Sequence, residues 1–118
     1  MHIDKVMAGY LSCALWSSCG EDDQPLDNTY DADDIAATSV ADARAEVLDF
    51  IMAQLELLEE SGLDDEQIGH DFWLTRNRHG AGFWDRGLGE VGDKLTEACR
   101  PYGSSDCYVG DDGKVYLT

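Results

Sequence analysis

Residues 40–61 form the most regular segment of this sequence, and they restrict its fold more than any other part. Apolar residues recur there at steps of three and four, the spacing of one face of an α-helix. This stripe consists of Val40, Ala43, Val47, Ile51, Leu55 and Leu58, widened by Leu48, Phe50, Met52 and Leu57. Ser39 is a favourable N-cap, and Gly62 suits a left-handed C-cap. The pattern predicts one long amphipathic helix that buries one face.

A second stripe on this predicted helix is acidic. It consists of Asp42, Glu46, Asp49, Ala53, Glu56 and Glu60, at alternating steps of four and three. Arg44 is the one cation in the segment and falls about 200° around the helix axis from Asp42. A solvated helix face usually mixes signs, because each i,i+4 Glu–Lys pair contributes ~0.2–0.5 kcal/mol and like charges cost similar amounts. An ordinary solvated face is the alternative, but five carboxylates without a cation favour a binding surface.

The acidic helix belongs to an acidic part of the chain. Residues 1–75 contain eighteen Asp/Glu and two Lys/Arg, a net charge of −16, whereas residues 76–118 sum to −1. An acidic loop at residues 20–35 adds a second set of candidate binding carboxylates: Asp22, Asp23, Asp31, Asp33 and Asp34. A total charge of −17 repels nucleic acid and anionic membranes and attracts basic protein surfaces. We therefore expect a basic protein partner, without direct binding to nucleic acid or membrane.

The other segments predict a single small domain over residues 1–118. Residues 4–18, with Asp4 as a possible N-cap, and residues 88–100 each have an apolar stripe at helical spacing. This size and 43% hydrophobic residues are compatible with one modest core. Two or three helices are therefore expected.

Two further segments predict β-hairpins. Residues 70–85 are rich in aromatic and β-forming residues on both sides of a turn at 78–82, and residues 107–117 contain Asp-Gly between two short apolar runs. Together with the helices they predict an α+β fold, in which two to three helices pack on an antiparallel sheet of three to four strands.

Cysteine and histidine patterns indicate no cofactor. The four cysteines lack C-x-x-C spacing and follow no secretory signal, so we expect buried free thiols in a reducing compartment. The acidic loop lacks the glycine of an EF-hand calcium loop. A small metal- or phosphate-dependent enzyme that uses His70, Asp71, His79 and Asp85 is an alternative, although their spacing fits no metal motif. We expect no catalytic residues, no metal and no cofactor.

Residues 70–87, His-Asp-Phe-Trp-Leu-Thr-Arg-Asn-Arg-His-Gly-Ala-Gly-Phe-Trp-Asp-Arg-Gly, resemble a motif in a family of small acidic proteins encoded by tailed bacteriophages and prophages. The similarity extends to residues 14–18, 92–96 and 108–113, and thus to nearly the whole chain. Arg78 departs from the glycine usual before His-Gly. The resemblance implies a phage product acting in the cytoplasm of a bacterial host, and it assigns no catalytic or binding residue.

These observations lead to an expectation about function. Residues 42–60 would span about 27 Å of helix at ~1.5 Å per residue, so five carboxylates would lie ~6–7 Å apart, close to the ~7 Å between every second phosphate of a DNA strand. Such a surface can occupy the DNA-binding groove of another protein. We expect a phage-encoded inhibitor that mimics DNA against a bacterial defence complex, with anti-CRISPR first and anti-restriction second. A structural or regulatory phage protein that binds another basic host protein is the alternative.

Overall fold

The computed structural model describes residues 1–20, 23–78 and 81–118. Over these residues the α-helices are α1 (Ile3–Ser17), α2 (Ala37–Ala53), α3 (Leu55–Ser61), α4 (Asp65–Arg76) and α5 (Glu90–Cys99). Two strands, β1 (Cys107–Val109) and β2 (Val115–Leu117), form one antiparallel hairpin. Short 3₁₀ turns lie at Leu26–Asn28, Ala32–Asp34, Phe83–Asp85 and Arg100–Tyr102. The protein is mostly helical.

The predicted α+β fold with a sheet of three to four strands is therefore wrong. Residues 70–76 belong to α4 instead of a strand, and Phe83–Asp85 is a 3₁₀ turn. The predicted turn at 78–82 lies partly outside the described residues, since these exclude His79 and Gly80. Nearly every side chain of α4 from Ile68 onward is buried, so this helix has no apolar stripe that would identify it. The aromatic residues of this segment favoured a strand prediction. β-propensity depends on context, however, and in this fold the segment is a helix that is buried on nearly all sides.

The prediction for the second hairpin is confirmed. Cys107 pairs with Leu117 and Val109 with Val115, around a turn that the Gly110 N–H closes by donating to the Lys114 carbonyl at 2.8 Å. Gly113 has a φ of 82°, which accounts for glycine at this position. Among the described residues the sheet has only these two strands, and an isolated parallel bridge joins Val115 to Ile35.

Helix α4 crosses α1 at very short range, and two glycines allow this. A Cβ atom at Gly9 would overlap the carbonyl of Glu66, and one at Gly69 would overlap the carbonyl of Val6. Small residues let two helix backbones approach closely. The crossing brings Tyr10 against Trp73 with a centroid distance of 5.3 Å at the centre of the core.

The predicted helix at residues 40–61 is two helices. Helix α2 begins at Ala37 and ends at Ala53, and Gln54, with φ −117° and ψ 21°, separates it from α3. Gly62 ends α3 with a φ of 72°, as predicted. Ser39 is not an N-cap: its buried hydroxyl accepts a hydrogen bond from the Leu117 N–H at 3.0 Å and so joins α2 to the hairpin.

The predicted N-cap of α1 is wrong. The N-cap is His2 instead of Asp4, whose carboxylate pairs with Arg44 at 3.0 Å.

The prediction of buried free thiols is confirmed for two of the four cysteines. All four cysteines are free; Cys13 and Cys99 are buried, whereas Cys19 is exposed and Cys107 is half-buried. Burial raises the pKa of the Cys13 and Cys99 thiols to about 12, which keeps them protonated and unreactive at neutral pH.

Candidate interaction surface

The acidic stripe of the sequence lies on α2 and α3, but the break at Gln54 divides it. Asp42, Glu46 and Asp49 belong to α2, whereas Glu56 and Glu60 belong to α3. All are exposed except Glu46, which is half-exposed. An even spacing of ~6–7 Å along one straight axis therefore holds only within each helix.

Glu46 has a structural role that the sequence did not reveal. Its carboxylate accepts a hydrogen bond at 3.1 Å from Nη2 of Arg76, whose side chain is only 2% exposed. The same guanidinium donates to the Tyr10 hydroxyl at 2.9 Å and to the carbonyls of Tyr102 and Gly103. Burial disfavours the charged form of Arg76, but Tyr10 and Glu46 outweigh it, so the pKa of Arg76 is raised. Glu46 is thus partly committed to holding a buried cation.

Asp49 also has an internal partner. It accepts a hydrogen bond from the Tyr102 hydroxyl at 2.6 Å. Burial and this hydrogen bond raise the pKa of Tyr102, so the phenol stays a donor. By contrast, Asp42, Glu56 and Glu60 have no hydrogen bond or ion pair to another described residue. These three carboxylates are the members of the stripe that are free to contact a partner.

Residues 23–35 of the acidic loop contain more local structure than their composition predicts. Leu26 anchors it in the core, and two 3₁₀ turns follow. Asp31 and Asp34 form a reciprocal capping box, in which each side chain accepts from backbone N–H groups of the same turn. Asp23, Asp31, Asp33 and Asp34 are all exposed, while Asp22 lies outside the described residues. Residues 23–34 therefore present carboxylates to solvent shortly before α2 begins.

The residues of the enzyme alternative do not form a catalytic arrangement in the described chain. Asp71 is fully buried and accepts two hydrogen bonds from the guanidinium of Arg86, at 2.7 and 3.0 Å, and another from Gln67 at 2.8 Å. Nδ1 of His70 lies 3.7 Å from Asp71, too far for a hydrogen bond. Asp85 is exposed on the 3₁₀ turn, and His79 lies outside the described residues. Asp71 is occupied in an ion pair that joins α4 to the segment after residue 85.

Two clefts of the described surface, of about 790 and 650 Å³, lack a cluster of acid–base groups. Among the described residues, the first cleft lies between the acidic loop and β1 and has Asp111 as its one carboxylate, whereas the second has Arg76, Arg78 and Arg100 without a carboxylate. A smaller cleft of about 390 Å³, between α1 and the N-terminal end of α4, is lined by Asp64, Glu66 and His70. Within residues 1–20, 23–78 and 81–118, no group of three His, Cys, Asp or Glu side chains is arranged to hold a metal ion.

Beside the acidic stripe, α2 and the first residue of α3 expose apolar side chains that the sequence pattern assigns to the core. Leu48, Met52 and Leu55 are 42%, 73% and 41% exposed. The face that α2 buries consists of Ala43, Val47, Phe50 and Ile51. A periodicity argument treats all apolar positions of a helix alike. It therefore predicted that Leu48, Met52 and Leu55 belong to the core.

The charged pairs that hold the core were only partly visible in the sequence. Arg76 and Arg86, two of the three arginines of residues 70–87, each pair with a carboxylate, as a buried or partly buried cation requires. Which carboxylates they bind could not be predicted, because Glu46 lies thirty residues from Arg76 in the chain. Without the fold, Glu46 was indistinguishable from the free carboxylates of the same stripe.

Comparisons with known proteins add no relative. No protein-family model, no curated protein and no solved structure matches this chain. Among the helices of the described residues, none combines the length and apolar character that a membrane span requires.

Proposed function

We propose that this protein is a phage-encoded inhibitor that binds the nucleic-acid-binding surface of a bacterial defence complex by presenting carboxylates in place of phosphates. One observation supports the proposal above the others. Among the described residues, the acidic loop and the α2–α3 pair expose ten carboxylates in consecutive elements: Asp23, Asp27, Asp31, Asp33, Asp34, Asp42, Asp49, Glu56, Glu59 and Glu60. Arg44 is the one cation of residues 23–60, and it pairs with Asp4 on α1.

The spacing within α2 agrees with this role. Residues 42–49 cover about 10 Å of helix at ~1.5 Å per residue, which corresponds to roughly three phosphate steps of one DNA strand at ~3.4 Å each. A basic groove that normally holds phosphates would attract these carboxylates over distances up to the Debye length, about 8 Å at physiological salt. The acidic loop would extend the anionic surface beyond the end of the helix.

The resemblance of residues 70–87 to a phage protein family supports the biological setting. A phage product that acts in the cytoplasm of its bacterial host meets defence complexes with basic DNA-binding channels. CRISPR effector complexes hold their nucleic acids in such channels, so anti-CRISPR activity is the first to test and anti-restriction activity the second.

The free carboxylates give the sharpest test. We expect the variant Asp42→Lys/Glu56→Lys/Glu60→Lys to lose inhibition of its target, with binding at least about tenfold weaker, because opposite charge drives the association. Glu46 and Asp49 are left intact, since they bind Arg76 and Tyr102. The measurements are phage plating on hosts with active CRISPR or restriction systems, followed by DNA-binding assays with the affected complex.

The matched control changes the total charge equally at a distant site. Asp85, Glu90 and Asp106 are exposed and lie outside the acidic loop and the α2–α3 pair. The variant Asp85→Lys/Glu90→Lys/Asp106→Lys should retain inhibition. Equal inhibition by both triple variants would reject this surface as the binding site.

A second candidate uses the same surface. A structural or regulatory phage protein that binds a basic host protein would show the same charge dependence. Competition with duplex DNA separates the two functions. If this protein is a mimic, DNA binds the groove of its partner and releases the partner from the complex. If the partner is an unrelated basic protein, the complex stays intact when DNA is added.

A further inference from the structure

Helix α2 exposes an apolar row that the fold itself does not use. Its members, called the apolar seam, are Ala41, Ala45, Leu48 and Met52 on α2, at steps of four, three and four, together with Leu55, the first residue of α3. All five are exposed. Within α2 this is the spacing of the a and d positions at which one helix packs against another, and Leu55 adjoins the row across the break at Gln54.

The seam is separate from the core. Val47 and Phe50, which are 0% and 1% exposed, lie on the opposite side of α2 and hold it against the other helices. Phe50 stacks on Phe72 with a centroid distance of 4.3 Å. Helix α2 is therefore already anchored, and exposed apolar residues grouped along one row mark an interaction site more often than residues scattered singly.

Charges beside the seam restrict what can cover it. Asp42 and Asp49 each follow a seam residue directly in the chain, about 100° around the axis, and Glu56 follows Leu55 beyond the break. The last turn of α2 has no basic residue, although its carbonyl end favours a cation. At the break, a depression of about 430 Å³ is lined by residues 52–57. The row thus combines an apolar centre, an acidic edge and a recess.

We propose that the apolar seam is the docking site for an amphipathic basic helix of the partner protein. The apolar stripe of that helix packs along Leu48, Met52 and Leu55, and its flanking Lys or Arg side chains meet Asp42, Asp49 and Glu56. This inference rests on the proposed function and specifies the partner segment that the acidic surface recognises. The flexible thioether side chain of Met52, which is more exposed than Leu48 or Leu55, adapts to the shape of an incoming helix.

The same charges disfavour a second copy of this chain as the molecule that covers the apolar seam. Two copies each carry a net charge of −17, and pairing the seams would bring the acidic edges of both molecules together. Like charges placed across an interface oppose association. A basic helix satisfies both the apolar row and its acidic edge.

The test uses three synthetic peptides of equal charge. The first is a Leu/Lys helix of about three heptads with leucine at a and d, the second a scrambled sequence of the same composition, and the third an oligolysine. Fluorescence anisotropy measures their binding to the full chain at low and high salt. We expect the patterned helix to bind about tenfold tighter than the other two, and to retain more affinity at high salt, because apolar contacts are not screened.

Neutral substitutions identify the seam without changing the charge. Leu48→Ser/Met52→Ser should remove the advantage of the patterned helix over the scrambled peptide. The matched control is Tyr108→Ser/Val109→Ser, which removes exposed apolar side chains from β1 and should preserve that advantage. Circular dichroism confirms that both variants remain folded.

Other results overturn the inference in distinguishable ways. Equal affinity for patterned and scrambled peptides, or no effect of Leu48→Ser/Met52→Ser, would reject the seam while leaving charge-based mimicry standing. Failure of every basic peptide to bind would reject the seam and the proposed function together. A dimer in sedimentation that Leu48→Ser/Met52→Ser dissociates would show that a second copy covers the seam.

Discussion

Arg76 is the residue whose loss would damage the interior most directly. We expect Arg76→Met to lower the free energy of unfolding by about 2–4 kcal/mol, because the Tyr10 hydroxyl and the carbonyls of Tyr102 and Gly103 lose a buried donor. Urea denaturation followed by tryptophan fluorescence measures the change.

An exposed arginine supplies the control for this substitution. Arg100 pairs with Glu97 at 3.1 Å, with both side chains about two-thirds exposed at 68% and 65%. Arg100→Met should therefore change stability by less than about 1 kcal/mol. If Arg76→Met proves equally mild, the buried hydrogen bonds contribute little and Arg76 is not a structural centre.

At the level of elements, the α1–α4 crossing is the contact with least tolerance. Gly69→Ala places a methyl group where the Val6 carbonyl lies, so we expect a loss of about 3 kcal/mol or more, as for an overpacked core. Helicity by circular dichroism and the midpoint of thermal unfolding measure the effect.

Gly113→Ala is the control for this substitution, because it measures the cost of backbone strain without a steric overlap. Gly113 has a φ of 82° and nothing near its missing Cβ, so its substitution should cost only about 1 kcal/mol. Similar losses at both positions would mean that the two helices can move apart without penalty.

The sequence predicted elements well where one face is exposed and poorly where burial is complete. Helices α1 and α5 and the hairpin at 107–117 have clear patterns, and the structure confirms them within two residues at each end. Helix α4 was mistaken for a strand because its buried side chains surround the axis and leave no periodicity. The break at Gln54 carries no glycine or proline signal in the sequence.

The candidate surface could be predicted in composition but not in detail. Exposure of Asp42, Glu56 and Glu60 follows from their helical positions. The internal roles of Glu46 and Asp49 depend on Arg76 and Tyr102, which the fold brings from distant parts of the chain. The apolar seam also depends on the fold. It can be recognised only once the structure shows that the opposite face of α2, with Val47 and Phe50, is the face that packs against the core.

On the scale of the whole molecule, the net charge of −17 opposes folding by self-repulsion. We expect the melting temperature to rise between about 10 mM and 300 mM NaCl, because salt shortens the Debye length from ~30 Å to below ~8 Å. Differential scanning fluorimetry measures this rise. The charge-reversal variant Asp42→Lys/Glu56→Lys/Glu60→Lys should show a smaller one, and an equal rise in both proteins would assign the effect to something other than the acidic face.

The junction between the hairpin and α2 also affects the order in which parts of the protein fold during synthesis. The Ala36 N–H donates to the Val115 carbonyl, and Ser39 accepts from the Leu117 N–H, so the last strand fixes the start of the acidic helix. Since a ribosome delivers the chain from its N-terminus, α1 and α4 can pair during synthesis, whereas the beginning of α2 takes its final position only after residue 117 has emerged. A nascent chain therefore lacks the finished acidic surface until β2 has left the ribosome.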